Sequence, residues 1–206
     1  MAILLSDQRV AAVPVDDIGE PLQPLPSELG GPAWVRAEVG RRLLGAARLL
    51  PAGVGLRVVE GHRSVEAQRR IVTEYTRVLR RQYRTADEQE LARLASRFVA
   101  PVAVAPHVAG AAVDLTLVGP GGNDLEMGTP IDATPEQSAG RCYFAAPDIE
   151  PAARQNREIL AAALTAVGLV NYPTEWWHWS YGDRYWALIT GADHALYGPV
   201  DRSAAA

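Results

Sequence analysis

Two short segments carry side chains that can bind one divalent cation and move a proton beside it. His107 and Asp114 stand in PHVAGAAVDLTL, residues 106–117, with the spacing H-x6-D. Farther on, Glu175 and His178 stand in EWWHW with the spacing E-x-x-H. Borderline-soft zinc favours imidazole nitrogen and accepts carboxylate oxygen, and a catalytic site uses three protein ligands and leaves a fourth position open. His107, Asp114 and His178 form such a set, for one Zn2+ per chain. Glu175 is then free for acid/base work: zinc lowers the pKa of its water to about 7, and a nearby carboxylate can take the proton and pass it on. Arg63 follows Gly61-His62 where a strand gives way to a helix, and a guanidinium there can stabilise an oxyanion.

Each of these residues has a plainer reading. A histidine among aromatics is more often a hydrogen-bonded structural residue, and H-x6-D is weak by itself. A second histidine with a glutamate three positions before it turns the balance toward a metal site. His62 follows a strand, as a supporting or structural residue, and His194 lies in an exposed turn. Trp176, Trp177, Trp179 and Trp186 are core and pocket wall rather than a carbohydrate platform. Cys142 lacks the histidine context of a nucleophile. Arg63 without a metal nearby is a surface or salt-bridged arginine.

The elements that must position these groups follow from periodicity and punctuation. Residues 1–32 carry five prolines (Pro14, Pro21, Pro24, Pro26, Pro32) and read as an extended N-terminal arm, since proline and pre-proline positions favour extended backbone. Residues 33–206 form the catalytic core of a single domain. Residues 33–50 repeat apolar side chains at helical spacing and stop at Pro51-Ala52-Gly53. Residues 55–60 alternate as a strand, and Ser64 caps the helix that follows. Thr85-x-x-Glu88 matches a capping box for a further helix. Residues 111–118 read as a strand with Val113, Leu115 and Leu117 on one face and Asp114 and Thr116 on the other. Residues 119–148 are loop-rich, which in a small domain points to function or mobility. A helix runs from the Asp148–Pro151 region to Gly168. Residues 176–181 and 184–189, split by Gly182-Asp183, read as a hairpin. Helices set apart from a mostly antiparallel sheet make an α+β fold. Positions 175 and 178 fall on opposite faces of an extended strand, so a shared cleft requires a turn or bulge after Pro173.

Composition narrows the partners. The chain has 206 residues, 48% hydrophobic and 21% charged, as a soluble domain with a real core has. All 20 cationic residues are arginine, yet the net charge is −4 and no basic run exists, which argues against nucleic acid. One cysteine excludes an internal disulfide framework. MAILLSDQRV lacks the basic start and long apolar stretch of a signal peptide, and no apolar run approaches the roughly 20 residues of a membrane span. The expectation is a cytoplasmic protein with no membrane partner; its oligomeric state is left open.

The motifs together resemble the VanX-type D-alanyl-D-alanine dipeptidases, zinc peptidases related to the DD-carboxypeptidases. EGHRS (60–64), HVAGAAVDLTL (107–117), LEMGTPID (125–132) and NREIL through EWWHW (156–179) carry the resemblance, in family order, over most of residues 55–190. It implies a hedgehog/DD-peptidase-like α+β fold, zinc on His107, Asp114 and His178, Glu175 as catalytic base and Arg63 as transition-state stabiliser. It also implies that Asp132 receives the substrate's free ammonium group; the other reading of Asp132 is a cap for the turn before Thr134-Pro135. The implied substrate is a small free-amine D,D-dipeptide. The alternatives are a zinc carboxypeptidase or endopeptidase on cell-wall peptides, and a catalytically weak peptide-binding module of the same fold. The chain departs from the family at Ala105, where serine is usual, at the apolar Val108-Ala109, and in the residues around Arg63. These departures touch substrate preference rather than the metal or the base, so the preference for D-Ala-D-Ala is expected to be relaxed or changed.

Overall fold

Asp114 and His178 lie directly opposite each other on neighbouring antiparallel strands, and the rest of the fold is arranged around that pair. The computed structural model describes residues 2–201. In chain order it contains α1 (Gln8–Ala12), β1 (Leu22–Pro24), β2 (Trp34–Arg36), α2 (Ala37–Ala47), β3 (Gly55–Glu60), α3 (Val65–Gln82) and α4 (Glu88–Ala95). There follow β4 (Ala112–Val118), α5 (Pro135–Ser138), α6 (Pro151–Ala166), β5 (Val170–Asn171), β6 (His178–Ser180) and α7 (Arg184–Thr190). The main sheet has the order β3-β4-β6-β5 with every neighbouring pair antiparallel, and β1 and β2 form a separate ribbon. This is the α+β architecture, with an antiparallel sheet and helices packed around it.

The side-chain period of two sorts the central strand. Val113, Leu115 and Leu117 of β4 join Leu56 and Val58 of β3, Trp179 of β6, Val39 and Leu43 of α2 and Leu160 and Leu164 of α6 in the principal core. Asp114 and Thr116 point to the opposite face and are nonetheless buried. Two smaller apolar clusters cover that side. One joins Tyr75 and Leu79 of α3 to Leu91 and Leu94 of α4. The other joins Leu5 and Val10 of the N-terminal arm to Tyr172 and Tyr185. A strand buried on both faces needs a reason for its polar residues, and the site supplies it.

Ser64 caps α3 as expected, accepting from the Ala67 amide. Several boundaries differ from the sequence reading. The arm is not wholly extended: α1 forms where no proline intervenes, with Asp7 accepting from the Arg9 amide. Residues 34–36 are strand rather than the start of α2, because they pair with Leu22–Pro24. The cap of α4 is Asp87, which accepts from the Glu90 amide, and not Thr85. The second limb of the expected hairpin is a helix. Asp183 accepts from the amides of Tyr185 and Trp186 and starts α7, while β6 finds its partners in β4 and β5. Aromatic residues at 185 and 186 favour strands, but a capping aspartate immediately before them decides the local structure.

Candidate metal centre and its cavity

His107 reaches the sheet from a 3-10 turn, Pro106–Ala109, that ends in Gly110 with φ 66°. A side chain at Gly110 would collide with Leu22, so both the left-handed backbone and the close approach demand glycine. The buried Arg36 braces the turn from behind, donating from Nε to Ala109 O at 2.9 Å and from its amide N–H to Gly110 O at 2.8 Å. The amide of Arg63 donates to His107 O at 3.1 Å, which ties the α3 entry to the same turn.

Asp114 and His178 need no loop; the register alone sets them side by side. Glu175 arrives through two consecutive turns. Its amide donates to Tyr172 O at 2.9 Å, and the His178 amide donates to Glu175 O at 3.4 Å. Asn171 Nδ2 closes the loop by donating to both Glu175 O and His178 O, at 2.9 and 3.0 Å. These turns break the strand parity between 175 and 178, as the shared cleft requires.

His107 Nε2, His178 Nδ1 and Asp114 Oδ1 converge. The separations are 3.1 Å between the two nitrogens, 3.1 Å from His178 Nδ1 to Asp114 and 3.4 Å from His107 Nε2 to Asp114. Zinc–nitrogen and zinc–oxygen bonds of about 2.0–2.1 Å in a tetrahedron give ligand–ligand edges of roughly 3.3 Å. The triangle therefore has the size of one face of a zinc tetrahedron. His107 Nδ1 lies 2.8 Å from Gly61 O, and donation there leaves the Nε2 lone pair facing the triangle. Two imidazole nitrogens and a carboxylate facing one another in a buried space repel unless a proton or cation lies between them. Donor type, spacing and the outer hydrogen bond all fit zinc.

The electrostatics agree. Burial would raise the Asp114 carboxyl, but the charges and hydrogen bonds of His107 and His178 outweigh it and hold the group far below the usual carboxylate range. Burial pushes His178 down, with its hydrogen bond to Asp114 opposing. At His107 burial acts in the same direction but Asp114 overcomes it, and the imidazole is raised. Glu175 stands outside the triangle, its Oε2 3.8 Å from His178 Nδ1. Burial, followed by the negative charges of Asp114 and Asp132, raises it well above an ordinary glutamate.

A cavity of about 210 Å³ opens on this cluster, with Glu60, Arg63, Ala105, Asp132, Tyr172 and Trp177 among its walls. Arg63 is held by its neighbours: Nε donates to Glu60 Oε1 at 2.7 Å, one Nη donates to the other Glu60 oxygen, and the second Nη donates to Gln68 Oε1 at 2.8 Å. A guanidinium has five N–H donors. Two therefore remain on the Nη atoms for an oxygen in the cavity. Burial works against the charge of Arg63, but Glu60, Asp114 and Glu175 raise its pKa further. Asp132 lines the same cavity with φ 63°, a left-handed conformation that aspartate tolerates better than most residues. Burial and the nearby Asp114 and Glu60 raise its carboxyl. The helix that follows is capped by Thr134 and Gln137, which form a capping box.

All six residues singled out from the sequence thus border one cavity. His62 is elsewhere engaged, with Nε2 2.8 Å from Val200 O, and His194 is half-buried away from the cavity. Cys142 is buried in the core. Trp176, Trp177 and Trp179 are fully buried, and Trp177 also walls the cavity. Sequence reasoning missed Glu60 and Gln68 as the holders of Arg63, Leu5 as part of the cavity wall, and Arg157. Buried Arg157 spans the loops around the site, donating to the carbonyls of Met127, Arg141, Tyr143 and Phe144. An arginine inside the apolar stripe of α6 was the available signal for it.

The peptidase M15 family model, described as D-ala-D-ala dipeptidase, matches residues 37–194. The chain belongs to this family. Among curated relatives, the D-alanyl-D-alanine dipeptidase of Synechocystis sp. (strain ATCC 27184 / PCC 6803 / Kazusa) is 32% identical over 117 residues, 49% of this chain and 46% of that protein. The D-alanyl-D-alanine dipeptidase of Escherichia coli (strain K12) is 43% identical over 72 residues, 35% of each chain. The matched stretches thus span less than half of either relative. Among solved structures, VanYB in complex with D-alanine-D-alanine covers 92% of this chain and 96% of its own, at 19% identity and a TM-score of 0.43. A mutant of the vancomycin resistance D,D-pentapeptidase VanY in complex with Zn(II) covers 84% and 92%, at 20% identity and a TM-score of 0.38. The family match takes in Arg63, His107, Asp114, Asp132, Glu175 and His178.

Proposed function

We propose that the chain is a zinc-dependent dipeptidase that hydrolyses a small free-amine D,D-dipeptide, D-alanyl-D-alanine above all, with one Zn2+ per chain. The observation that carries this reading is the triangle of His107 Nε2, Asp114 Oδ1 and His178 Nδ1 beside a buried glutamate in a small cavity. Family membership and the names of the two curated relatives support the substrate.

His107, Asp114 and His178 hold the ion. Zinc, when bound, supplies a Lewis acid and a water whose pKa falls to about 7. Glu175 would take a proton from the attacking water at its carboxylate and return it to the departing amine. The two unused Nη–H donors of Arg63 meet the oxygen that gains negative charge at the scissile carbonyl. Glu60 and Gln68 hold the guanidinium so that it need not reorganise during the reaction. Asp132 receives the substrate's ammonium group, which a buried acidic wall favours over a neutral amide. The cavity volume of about 210 Å³ is below the roughly 300–1,000 Å³ of sites for drug-sized ligands, in keeping with a dipeptide. Cytoplasmic action on a free dipeptide belongs to the same proposal; among the described residues no helix is long and apolar enough to cross a membrane.

The test is a panel of the four Ala-Ala stereoisomers, their N-acetylated forms and longer cell-wall peptides, with released alanine measured. D-Ala-D-Ala should be cleaved, and blocking its amine should abolish cleavage. Efficient release from N-blocked or longer peptides would instead establish a carboxypeptidase. Binding without turnover would establish a peptide-recognition module.

A further inference from the structure

We propose that Asp183 is a positioning residue for His178, its Oδ2 accepting the Nε2–H of that imidazole through one water so that Nδ1 faces the metal. The inference rests on the zinc reading given above and adds a residue to it.

The two histidines of the triangle use different nitrogens. His107 turns Nε2 inward and has Gly61 O, 2.8 Å from Nδ1, to hold its other side. His178 turns Nδ1 inward, 3.1 Å from Asp114 Oδ1, so its proton belongs on Nε2. That Nε2 is buried and has no hydrogen-bond partner within the protein. A buried N–H left unpaired is costly, and metal-bound imidazoles nearly always donate their outer N–H to a carboxylate, carbonyl or water.

Five residues on, across the turn after β6, one buried acceptor is in the same condition. Asp183 is 2% exposed, and its Oδ2 likewise has no partner. Its Oδ1 accepts from the amides of Tyr185 and Trp186 at 2.7 and 3.2 Å. Capping α7 therefore uses one oxygen, fixes the plane of the carboxylate and leaves the other oxygen over. Burial raises Asp183, opposed by the Ser180 hydroxyl, the two α7 amides and the charge of His178, and burial lowers His178, opposed by Asp114 and, more weakly, by Asp183. Among the described residues, the other buried side-chain atoms without a hydrogen bond are Arg42 Nε, a donor that is paired with Glu38 Oε1 at 2.8 Å, and Thr174 Oγ1, which belongs to a hydroxyl. The fold explains the placement. His178 starts β6 and Asp183 caps α7, with only a short Gly-containing turn between the two elements, and both residues are buried. A carboxylate behind His178 makes its imidazole a more basic ligand than the carbonyl behind His107 can.

Zinc affinity of the full chain, read by competition with a chromogenic chelator, separates this role from simple capping. Asp183→Ser keeps a good helix cap and loses the second oxygen, and Asp183→Asn caps equally well without the charge. Both should weaken zinc binding by about 10- to 100-fold, as loss of an outer-shell partner does. Asp87→Ser, the same change at the cap of α4, should leave zinc affinity unaltered. Zinc-loaded wild type should also show a slowly exchanging imidazole Nε2–H assigned to His178 in 15N spectra, lost in Asp183→Ser. If Asp183→Ser and Asp183→Asn bind zinc as wild type does, whatever their melting temperatures, Asp183 is only a cap and the inference fails while the metal site stands. Wild type that binds no zinc overturns both. If Asp183→Ser does not fold, the Asp183→Asn comparison decides.

Discussion

Glu175 is separated from the ligand triangle by a small distance and a large difference in environment. Its Oε2 lies 3.8 Å from His178 Nδ1, whereas the ligand atoms approach one another within 3.1–3.4 Å. Burial and like charge raise its affinity for a proton, which suits a base that must later act as an acid. Glu175→Gln should therefore keep the fold and the zinc yet lose about 10²-fold or more in kcat. Zinc content measured on the purified variant checks the assignment; loss of metal would make Glu175 a ligand. Arg63→Lys should cost roughly 10²–10³-fold in kcat with a smaller change in KM, since a point charge cannot keep the paired grip of Glu60 and Gln68 while reaching the cavity. An effect confined to KM would move Arg63 to ground-state binding. At this scale the sequence singled out six residues that border one cavity, because metal chemistry restricts residue types and spacing. Glu60, Gln68 and Asp183 were not legible, because holding a side chain in place can be done by many residue types at many spacings.

At the scale of elements, the pairing of Asp114 with His178 is a consequence of strand register, and a slip of one residue would send both side chains into the core. The alternation of Val113, Leu115 and Leu117 against Asp114 and Thr116 was visible in the sequence and proved correct. The partner strand was harder to place. Trp176 to Ile189 carries strand-forming aromatics and a Gly-Asp turn, but Asp183 spends its carboxylate on the amides of Tyr185 and Trp186. A local cap overrode propensity, as it did at Asp87. The long loop region of 119–148 was legible only as a loop; what orders it is Arg157, reaching from α6 to four carbonyls. Burial lowers the Arg157 pKa to about 10, which still leaves it charged at neutral pH. Arg157→Met would fill similar space and strand the Met127, Arg141 and Phe144 carbonyls, each costing about 1–3 kcal/mol if left unpaired, while Tyr143 O keeps the Ala146 amide. Chemical denaturation should show a loss of about 3 kcal/mol or more. A change within the range of an ordinary surface substitution would show that water takes over the carbonyls without cost.

At the scale of the whole molecule, the cavity is completed by the N-terminal arm, a part far from the catalytic motifs in the chain. The Leu5 amide donates to the Tyr172 hydroxyl at 3.1 Å, and Tyr172 donates in turn to Ser96 O. The Ser6 amide donates to Ser96 Oγ at 2.8 Å, so arm, α4 end and site loop are fastened at one point. Leu5 is 4% exposed and its side chain forms part of the cavity wall with Ile71, Phe98 and Val99. Proline content marked the arm as extended but could not reveal where its first residues dock, because docking depends on contacts across the whole chain. The arm thereby limits the room beside the His107–Asp114–His178 triangle. Leu5→Ala should cost about 2–5 kcal/mol of stability, as truncation of a buried leucine does. It should also enlarge the cavity, so that a D,D-dipeptide with a bulky apolar side chain gains in kcat/KM relative to D-Ala-D-Ala. Measuring the ratio of the two substrates on one preparation removes the effect of lost folded protein, which lowers both equally. A ratio that rises assigns Leu5 to substrate selection; a ratio that stays constant leaves the arm a purely structural clasp.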